Sequence, residues 1–173
     1  MVSIILSIFV ALKQSNMKNL ELKTTIKECQ LEELSQQEQH LVGLAIEATR
    51  RSYAPYSNFC VGAALLLNNG VEIMGCNQEN AAFPATLCAE RSAIFAAGAQ
   101  YPDVPVKMLA IAARTPDGEL QAEPVSPCGT CRQAIIETET RFGQPVSILL
   151  YGRNKIYVIE GIRQLMPLSF SEF

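Results

Sequence analysis

Phe59-Cys60-Val61-Gly62-Ala63-Ala64-Leu65-Leu66-Leu67 runs into Asn68-Asn69-Gly70, and Val71-Glu72-Ile73-Met74-Gly75-Cys76-Asn77 follows. Two strand-like apolar runs joined by Asn-Gly are a hairpin signal, because both central positions of a two-residue turn need positive φ. Cys60 and Cys76 lie inside these runs and read as buried small hydrophobes. Upstream, Ser35-Gln36-Gln37-Glu38 has the spacing of a capping box. Leu41, Leu44, Ala45, Ala48 and Ser52 then keep one face apolar or small, which predicts a helix over residues 36–52, ended by Ala54-Pro55-Tyr56-Ser57. The mixed residues before it are a leading arm with a short strand expected over 20–26.

Downstream of the hairpin, Thr86 precedes a helix of small and apolar residues that extends to Ala99. Residues 107–113 read as a buried strand and Thr115-Pro116-Asp117-Gly118 as a turn. Ser126 and Pro127 form an N-cap and N1 pair for a helix ending near Phe142. Residues 146–151 and 156–159 complete the strands, and a short helix over 162–165 closes the chain. The order α-β-β-α-β-α-β-β predicts an α/β fold: a three-layer α/β/α sandwich around a mixed sheet of about five strands. Residues 35–173 form one domain, and residues 1–34 are an extension and leading arm.

The 173 residues suffice for one domain with a proper core. With 49% hydrophobic and 18% charged residues, the chain reads as a folded globule and not as a disordered segment. A net charge of -3 argues against a nucleic-acid binder, which would carry a basic face, and suits a small neutral substrate. Six cysteines (Cys29, Cys60, Cys76, Cys88, Cys128 and Cys131) allow three disulfides, but a chain this apolar needs no staples. Cys29 reads as incidental. His40, the only histidine, stands among Gln37, Glu38 and Gln39 and reads as a solvated surface residue.

Residues 1–12 are apolar enough to resemble a signal-peptide core. They lack a basic leading region and a small-x-small cleavage site, and the run is too short to span a bilayer. Met17-Lys18 offers a second start. The expectation is that translation begins at Met17 and that residues 1–16 are an upstream extension; an intact mass beginning at Met1 would refute it.

The chemistry is concentrated in Cys88-Ala89-Glu90-Arg91 and Pro127-Cys128-Gly129-Thr130-Cys131-Arg132-Gln133. The element map puts Cys88 in the first turn of one helix, and Cys128 and Cys131 in the first turn of the next. A helix N-terminus favours thiolate, and residues three apart share a face. Two helix starts at the same sheet edge would gather all three sulfurs around one ion. Three protein ligands leave a fourth position open, which separates a catalytic zinc from a structural one. Three thiolates give Zn²⁺ a net negative charge, so a guanidinium donating to the sulfurs would restore its acidifying power. Arg91 is the first candidate for that role and Arg132 the second, each weighed against an ordinary surface arginine. Glu90, two residues from a ligand, is placed to carry protons. A lone Cys-x-x-Cys could equally be a redox pair or half of a structural zinc site. For the latter no obvious fourth Cys or His stands at fitting spacing, with Cys76 a possible but unpaired candidate, and the former leaves Cys88-Ala89-Glu90 without a purpose.

These segments resemble the signature of zinc-dependent deaminases, in which a ligand stands two residues before a non-ligand Glu and P-C-x-x-C follows. The chain is similar to the small homotetrameric cytidine deaminases of pyrimidine salvage over residues 53–170. Tyr53 to Ala64 resembles that family's opening strand, Gly75 to Phe83 its substrate segment, and the two cysteine segments its zinc site. Three cysteines without a leading histidine mark the short tetrameric branch. The resemblance implies zinc held by Cys88, Cys128 and Cys131, with Glu90 shuttling protons from water to ring N3 and to the amine leaving C4. It implies Asn77 and Glu79 on the ribose hydroxyls, and residues two apart on a strand do share a face. Phe59 would line the nucleoside pocket, the Ala89 N–H would meet the pyrimidine carbonyl, and Phe170 would stack on the base in a neighbouring subunit's site. Phe83 stands where many relatives have tyrosine. The implied reaction converts cytidine and 2'-deoxycytidine to uridine and 2'-deoxyuridine plus ammonia, in a cytoplasmic homotetramer with sites at subunit interfaces. No nucleic-acid or membrane partner is expected. The rival readings are a deaminase of another small aminoheterocycle, of the blasticidin type, and a zinc-stabilised module without turnover.

Overall fold

The hairpin forms as β2 (Cys60–Leu67) and β3 (Glu72–Cys76), with Gly62 opposite Cys76 and Leu66 opposite Glu72. Its turn differs from the expected two-residue kind. The Gly70 N–H donates to Leu67 O at 2.9 Å, and the Leu67 N–H to Val71 O at 2.9 Å. Gly70 alone in the turn has positive φ, at 85°. A longer loop in which one glycine takes the left-handed step replaces the paired positive-φ turn, and Asn69 is free to accept the Val71 N–H on its Oδ1.

The structure, a computed structural model, describes residues 18–115 and 117–171. The apolar run at 1–12, the Met17 start and Pro116 of the expected turn lie outside the described residues. Among the described residues, no helix is long and apolar enough to cross a membrane.

Six strands form one sheet in the order β1-β6-β5-β4-β2-β3, with β1 at Lys27–Cys29, β4 at Val106–Arg114, β5 at Ser147–Tyr151 and β6 at Ile156–Glu160. The sixth strand is β1. It pairs antiparallel with β6 a few residues later than the arm strand expected over 20–26. Leu20, Leu22 and Ile26 stay exposed, whereas Cys29 and Leu31 pack against the core beneath, so the arm first gains apolar contact there. All pairings are antiparallel except β4 with β5, which needs a helical crossover.

Side chains alternate along β2. Ala64 and Leu66 face α1 (Gln36–Ala48), while Ala63, Leu65 and Leu67 face α2 (Ala89–Gln100) and α3 (Gly129–Phe142). A strand covered on both sides must be apolar at every position, which accounts for the unbroken run in β2. The three-layer α/β/α arrangement follows. The capping box at Ser35 and Glu38 closes reciprocally. Helix α1 ends at Ala48, and Thr49–Arg51 tightens into a 3-10 turn, where the Thr49 hydroxyl donates to Ile46 O at 2.6 Å. The closing helix is a 3-10 turn over Ile162–Gln164. Cys60 and Cys76 are only half-buried, and Cys76 Sγ stands 3.2 Å from Arg51 O, so neither is a core residue. The His40 side chain is exposed beside Glu72, at 3.1 Å.

Two glycines bring helices unusually near the sheet. A Cβ at Gly62 would lie 2.1 Å from Ala45 O of α1, and one at Gly75 would lie 2.4 Å from Ala89 O of α2. Only glycine permits such backbone contact, and the second of these contacts sets the depth at which α2 begins.

Candidate metal centre and active site

Cys88 and Cys128 are the N-cap residues of α2 and α3, each with extended backbone (ψ 157° and 166°), and Cys131 lies in the first turn of α3. Both caps therefore stand one position ahead of the first turn in which the sequence places these two cysteines. Ser126 and Pro127 fall outside α3, whose first bond runs from the Arg132 N–H to Cys128 O at 2.9 Å. Neither N-cap sulfur caps its own helix, so both remain available to a shared ion.

Cys88 Sγ and Cys128 Sγ are 3.8 Å apart, and Cys128 Sγ and Cys131 Sγ are 3.5 Å apart. All three sulfurs lie within 4.8 Å of one another. Tetrahedral zinc with bonds of about 2.3 Å would separate its sulfur ligands by about 3.8 Å. A disulfide would need about 2.05 Å, and all three cysteines are free. Among the described residues, the cluster holds three donors and no fourth Cys, His, Asp or Glu. Spacing and donor type both fit a zinc ion with one open position.

Electrostatics agree. The positive ends of α2 and α3 converge on the sulfurs. The Cys88 thiol is lowered to about 5, first by donation from Cys131 and then by Arg91 and Cys128. Cys131 is pushed up in turn, because it is the donor to Cys88 and is buried. Arg91 Nη2 reaches Cys88 Sγ at 3.5 Å and Thr86 O at 3.4 Å, and its Nε is buried without a hydrogen-bond partner. The Arg132 guanidinium is engaged by backbone carbonyls. Its Nε donates to Pro127 O at 3.0 Å and its Nη1 to Leu165 O at 2.8 Å.

Glu90 is 4% exposed, one residue into α2, and burial pushes its carboxyl above the ordinary range. A buried acid beside thiolates holds its proton more tightly than a surface one, which suits repeated gain and loss near neutrality. Ala89 is fully buried as the first residue of α2, where backbone N–H groups lack intrahelical partners.

The 77–79 segment lies just past β3 and is joined to the metal segment through Gln78, which exchanges backbone hydrogen bonds with Leu87 at 2.9 and 3.0 Å. Asn77, 9% exposed, accepts the Val61 N–H at 2.8 Å and donates to Phe59 O at 2.8 Å. Both polar ends of its amide thus staple the entry of β2. The Glu79 carboxylate accepts the Tyr56 N–H at 2.8 Å, the Ser57 N–H at 3.2 Å and the Ser57 hydroxyl at 2.5 Å. The Ser57 hydroxyl is the main reason its pKa is lowered. Tyr56, Ser57, Glu79, Phe83 and Thr86 line an open pocket of about 360 Å³. Phe59 is half-buried where the chain enters β2. Phe170 is 65% exposed on the tail, and its carbonyl accepts from Gln133 Nε2 at 2.7 Å.

The structure therefore gathers Cys88, Ala89, Glu90, Arg91, Cys128 and Cys131 and sets Phe59, Asn77 and Glu79 in the adjoining segment. It leaves Phe170 on the tail. Three contributors had no sequence signal: Ser57, which holds Glu79; Thr86, whose carbonyl receives Arg91; and Gln133, which holds the tail.

The family model described as the cytidine and deoxycytidylate deaminase zinc-binding region matches residues 35–142. A cytidine deaminase from Halalkalibacterium halodurans is 44% identical over 99 residues, 57% of this chain and 70% of that protein. One from Sporosarcina psychrophila is 46% identical over 97 residues, 56% of this chain and 66% of that protein. The crystal structure of a cytidine deaminase from Burkholderia pseudomallei superimposes with a TM-score of 0.65 at 35% identity, covering 79% of this chain and all of that one. With three sulfurs at zinc spacing and this match across the segment that carries them, the chain belongs to the cytidine and deoxycytidylate deaminase zinc-binding family.

Proposed function

We propose that this protein catalyses the hydrolytic deamination of cytidine and 2'-deoxycytidine, releasing ammonia and forming uridine and 2'-deoxyuridine in pyrimidine salvage. The observation that carries the proposal is the set of three sulfurs within 4.8 Å of one another, with the buried Glu90 carboxyl on the helix that Cys88 caps. The similarity to proteins named cytidine deaminase supports the choice of substrate.

Cys88, Cys128 and Cys131 would hold the zinc, which supplies the Lewis acidity that makes water nucleophilic at neutral pH. Glu90 performs the proton work. Its carboxylate accepts a proton from the attacking water and delivers it to N3 of the pyrimidine, and it then carries the second proton to the amine departing from C4. Arg91 draws negative charge from Cys88, so that the sulfur-rich site does not oppose ionisation of water. The Ala89 N–H, at the open end of α2, meets the pyrimidine carbonyl. Asn77 and Glu79 receive the sugar hydroxyls while also fixing the loop that leads to Phe59, so that sugar and pocket wall share anchors.

The functional unit is a homotetramer in the cytoplasm, with Phe170 of one subunit reaching the base bound by its neighbour. An apolar groove of about 610 Å³ between α2 and α3, lined by Ile94, Tyr101, Val104 and Ala134 with Phe95 53% exposed, is a surface for a second copy to cover. Six free cysteines suit a reducing compartment. Sedimentation should give four times the monomer mass; a monomer at micromolar concentration overturns that assignment.

The test is ultraviolet assay of cytidine loss before and after metal stripping, with Glu90→Gln alongside. Activity should vanish on stripping, return with zinc, and drop by several orders of magnitude in the variant at unchanged zinc content. Zinc-loaded wild-type protein inert toward cytidine and deoxycytidine would refute the proposal in favour of another aminoheterocycle or a non-catalytic module.

A further inference from the structure

Arg132 and Gln133 follow the last sulfur ligand directly, and neither is used by the chemistry above. The Arg132 guanidinium acts as a fork. One arm, Nε, donates to Pro127 O at 3.0 Å, the carbonyl immediately before Cys128, and the other, Nη1, donates to Leu165 O at 2.8 Å. Gln133 Nε2 donates to Phe170 O at 2.7 Å. The tail that leaves the fully buried Ile162 is thus held to the N-terminal part of α3 by Arg132 and Gln133, while Leu168 between the two contacts is 72% exposed. Lysine could not replace the fork, since a single ammonium lacks the rigid, divergent donors of a guanidinium.

We propose that Arg132 and Gln133 are positioning residues that bind the C-terminal tail to the start of α3 and so hold Cys128 in place for the metal. The proposal deepens the function argued above and rests on the zinc site assigned there. Cys128 is the N-cap: its carbonyl accepts the first bond of the helix, but the Pro127–Cys128 peptide ahead of it takes no part in the ladder. Nothing in the helix ladder fixes the direction of the Pro127–Cys128 peptide, and the Arg132 bond to Pro127 O supplies that constraint. Because the same guanidinium holds Leu165, displacement of the tail pulls on the ligand loop. Supporting hydrogen bonds around a metal site are worth about 10–100-fold in metal affinity.

The experiment measures zinc loss from the full-length, zinc-loaded protein to a chromophoric chelator, with thermal melting in parallel. Arg132→Gln should release zinc about 10–100-fold faster than wild type, with Arg132→Lys between the two. Gln133→Ala should accelerate release, and deletion of residues 168–173, which also removes the Arg163–Ser171 contact, should do so at least as much. Adding Gln133→Ala to the deletion should change nothing further, since the deletion already removes the carbonyl that Gln133 holds. A merely structural role would lower melting temperatures without this non-additivity in metal release. Unchanged release in Arg132→Gln, or additive effects of the Gln133 and tail changes, overturns the proposal even if wild type holds zinc and deaminates cytidine. Wild-type protein that retains no zinc overturns the metal site itself, and the proposal with it.

Discussion

Gly75→Ala offers a sharp test of how the sheet positions the reacting groups. A Cβ at Gly75 would lie 2.4 Å from Ala89 O and 2.5 Å from Ala93 N, where ordinary contact begins at 3.4 Å. The shortfall is therefore 3.4 − 2.4, or about 1 Å, and both opposing atoms belong to the α2 backbone, so no side chain can rotate aside. The helix must retreat bodily, taking Glu90 with it and Cys88 at its cap. Overpacking of this kind costs about 1–3 kcal/mol, and a domain of this size loses about 2–4 °C in Tm per kcal/mol. A displacement of about 1 Å in the acid and one ligand should lower kcat/KM for cytidine about 10²-fold. Gly43 is the control: it lies exposed in α1 with open space around it and away from the α2–α3 groove, so Gly43→Ala should leave turnover intact and raise stability by up to about 1 kcal/mol. The assay is initial-rate ultraviolet kinetics with scanning calorimetry on both variants. If Gly75→Ala keeps kcat/KM within about twofold of wild type, the idea that this contact sets the depth of α2 is wrong.

Asn77→Ala should destabilise the fold by about 1–3 kcal/mol, because the Val61 N–H and the Phe59 carbonyl lose their partner; it should also raise KM for cytidine, and denaturant melts with steady-state kinetics check both. Glu90 is raised by burial, so the folded chain holds this proton more tightly than the unfolded one. Its contribution to stability is complete below the unfolded carboxylate pKa and declines as pH rises through the folded value. In metal-stripped protein, Glu90→Gln should therefore lose less Tm than wild type on going from acid to neutral pH, and parallel curves would contradict this. Arg91→Gln removes one of the donors that hold Cys88 near 5. The pH at which zinc occupancy is half-complete should move upward, as read by metal analysis after equilibration across the acid range.

Much of the layered architecture could be read from periodicity and punctuation. The capping box at Ser35 and Glu38, the continuous apolar run of β2 and the two cysteine segments all declare themselves locally. What could not be read were features decided by packing at a distance. Strand β1 forms where Cys29 and Leu31 find the core, not where the arm itself looks most strand-like. The hairpin turn closes by a backbone pattern that Asn-Gly does not specify uniquely. Both ligand-bearing helices begin at a cysteine because the tertiary setting keeps those residues extended. The metal-site residues were visible because their spacing is short and repeats on two helices. The anchoring of the 56–61 segment by Asn77 and Glu79 was hidden because their partners lie 16–23 residues away.

The spacing of the ligands along the chain also bears on how the molecule folds. Cys88 and Cys128 are separated by 40 residues, and the whole of β4 lies between them. An ion shared by their sulfurs would be a cross-link across a long excursion of the polypeptide, made only in the folded chain. The three sulfurs meet only when the starts of α2 and α3 are docked beside one another, so a bound ion would add its binding free energy to the folded state and hold two distant points of the chain together.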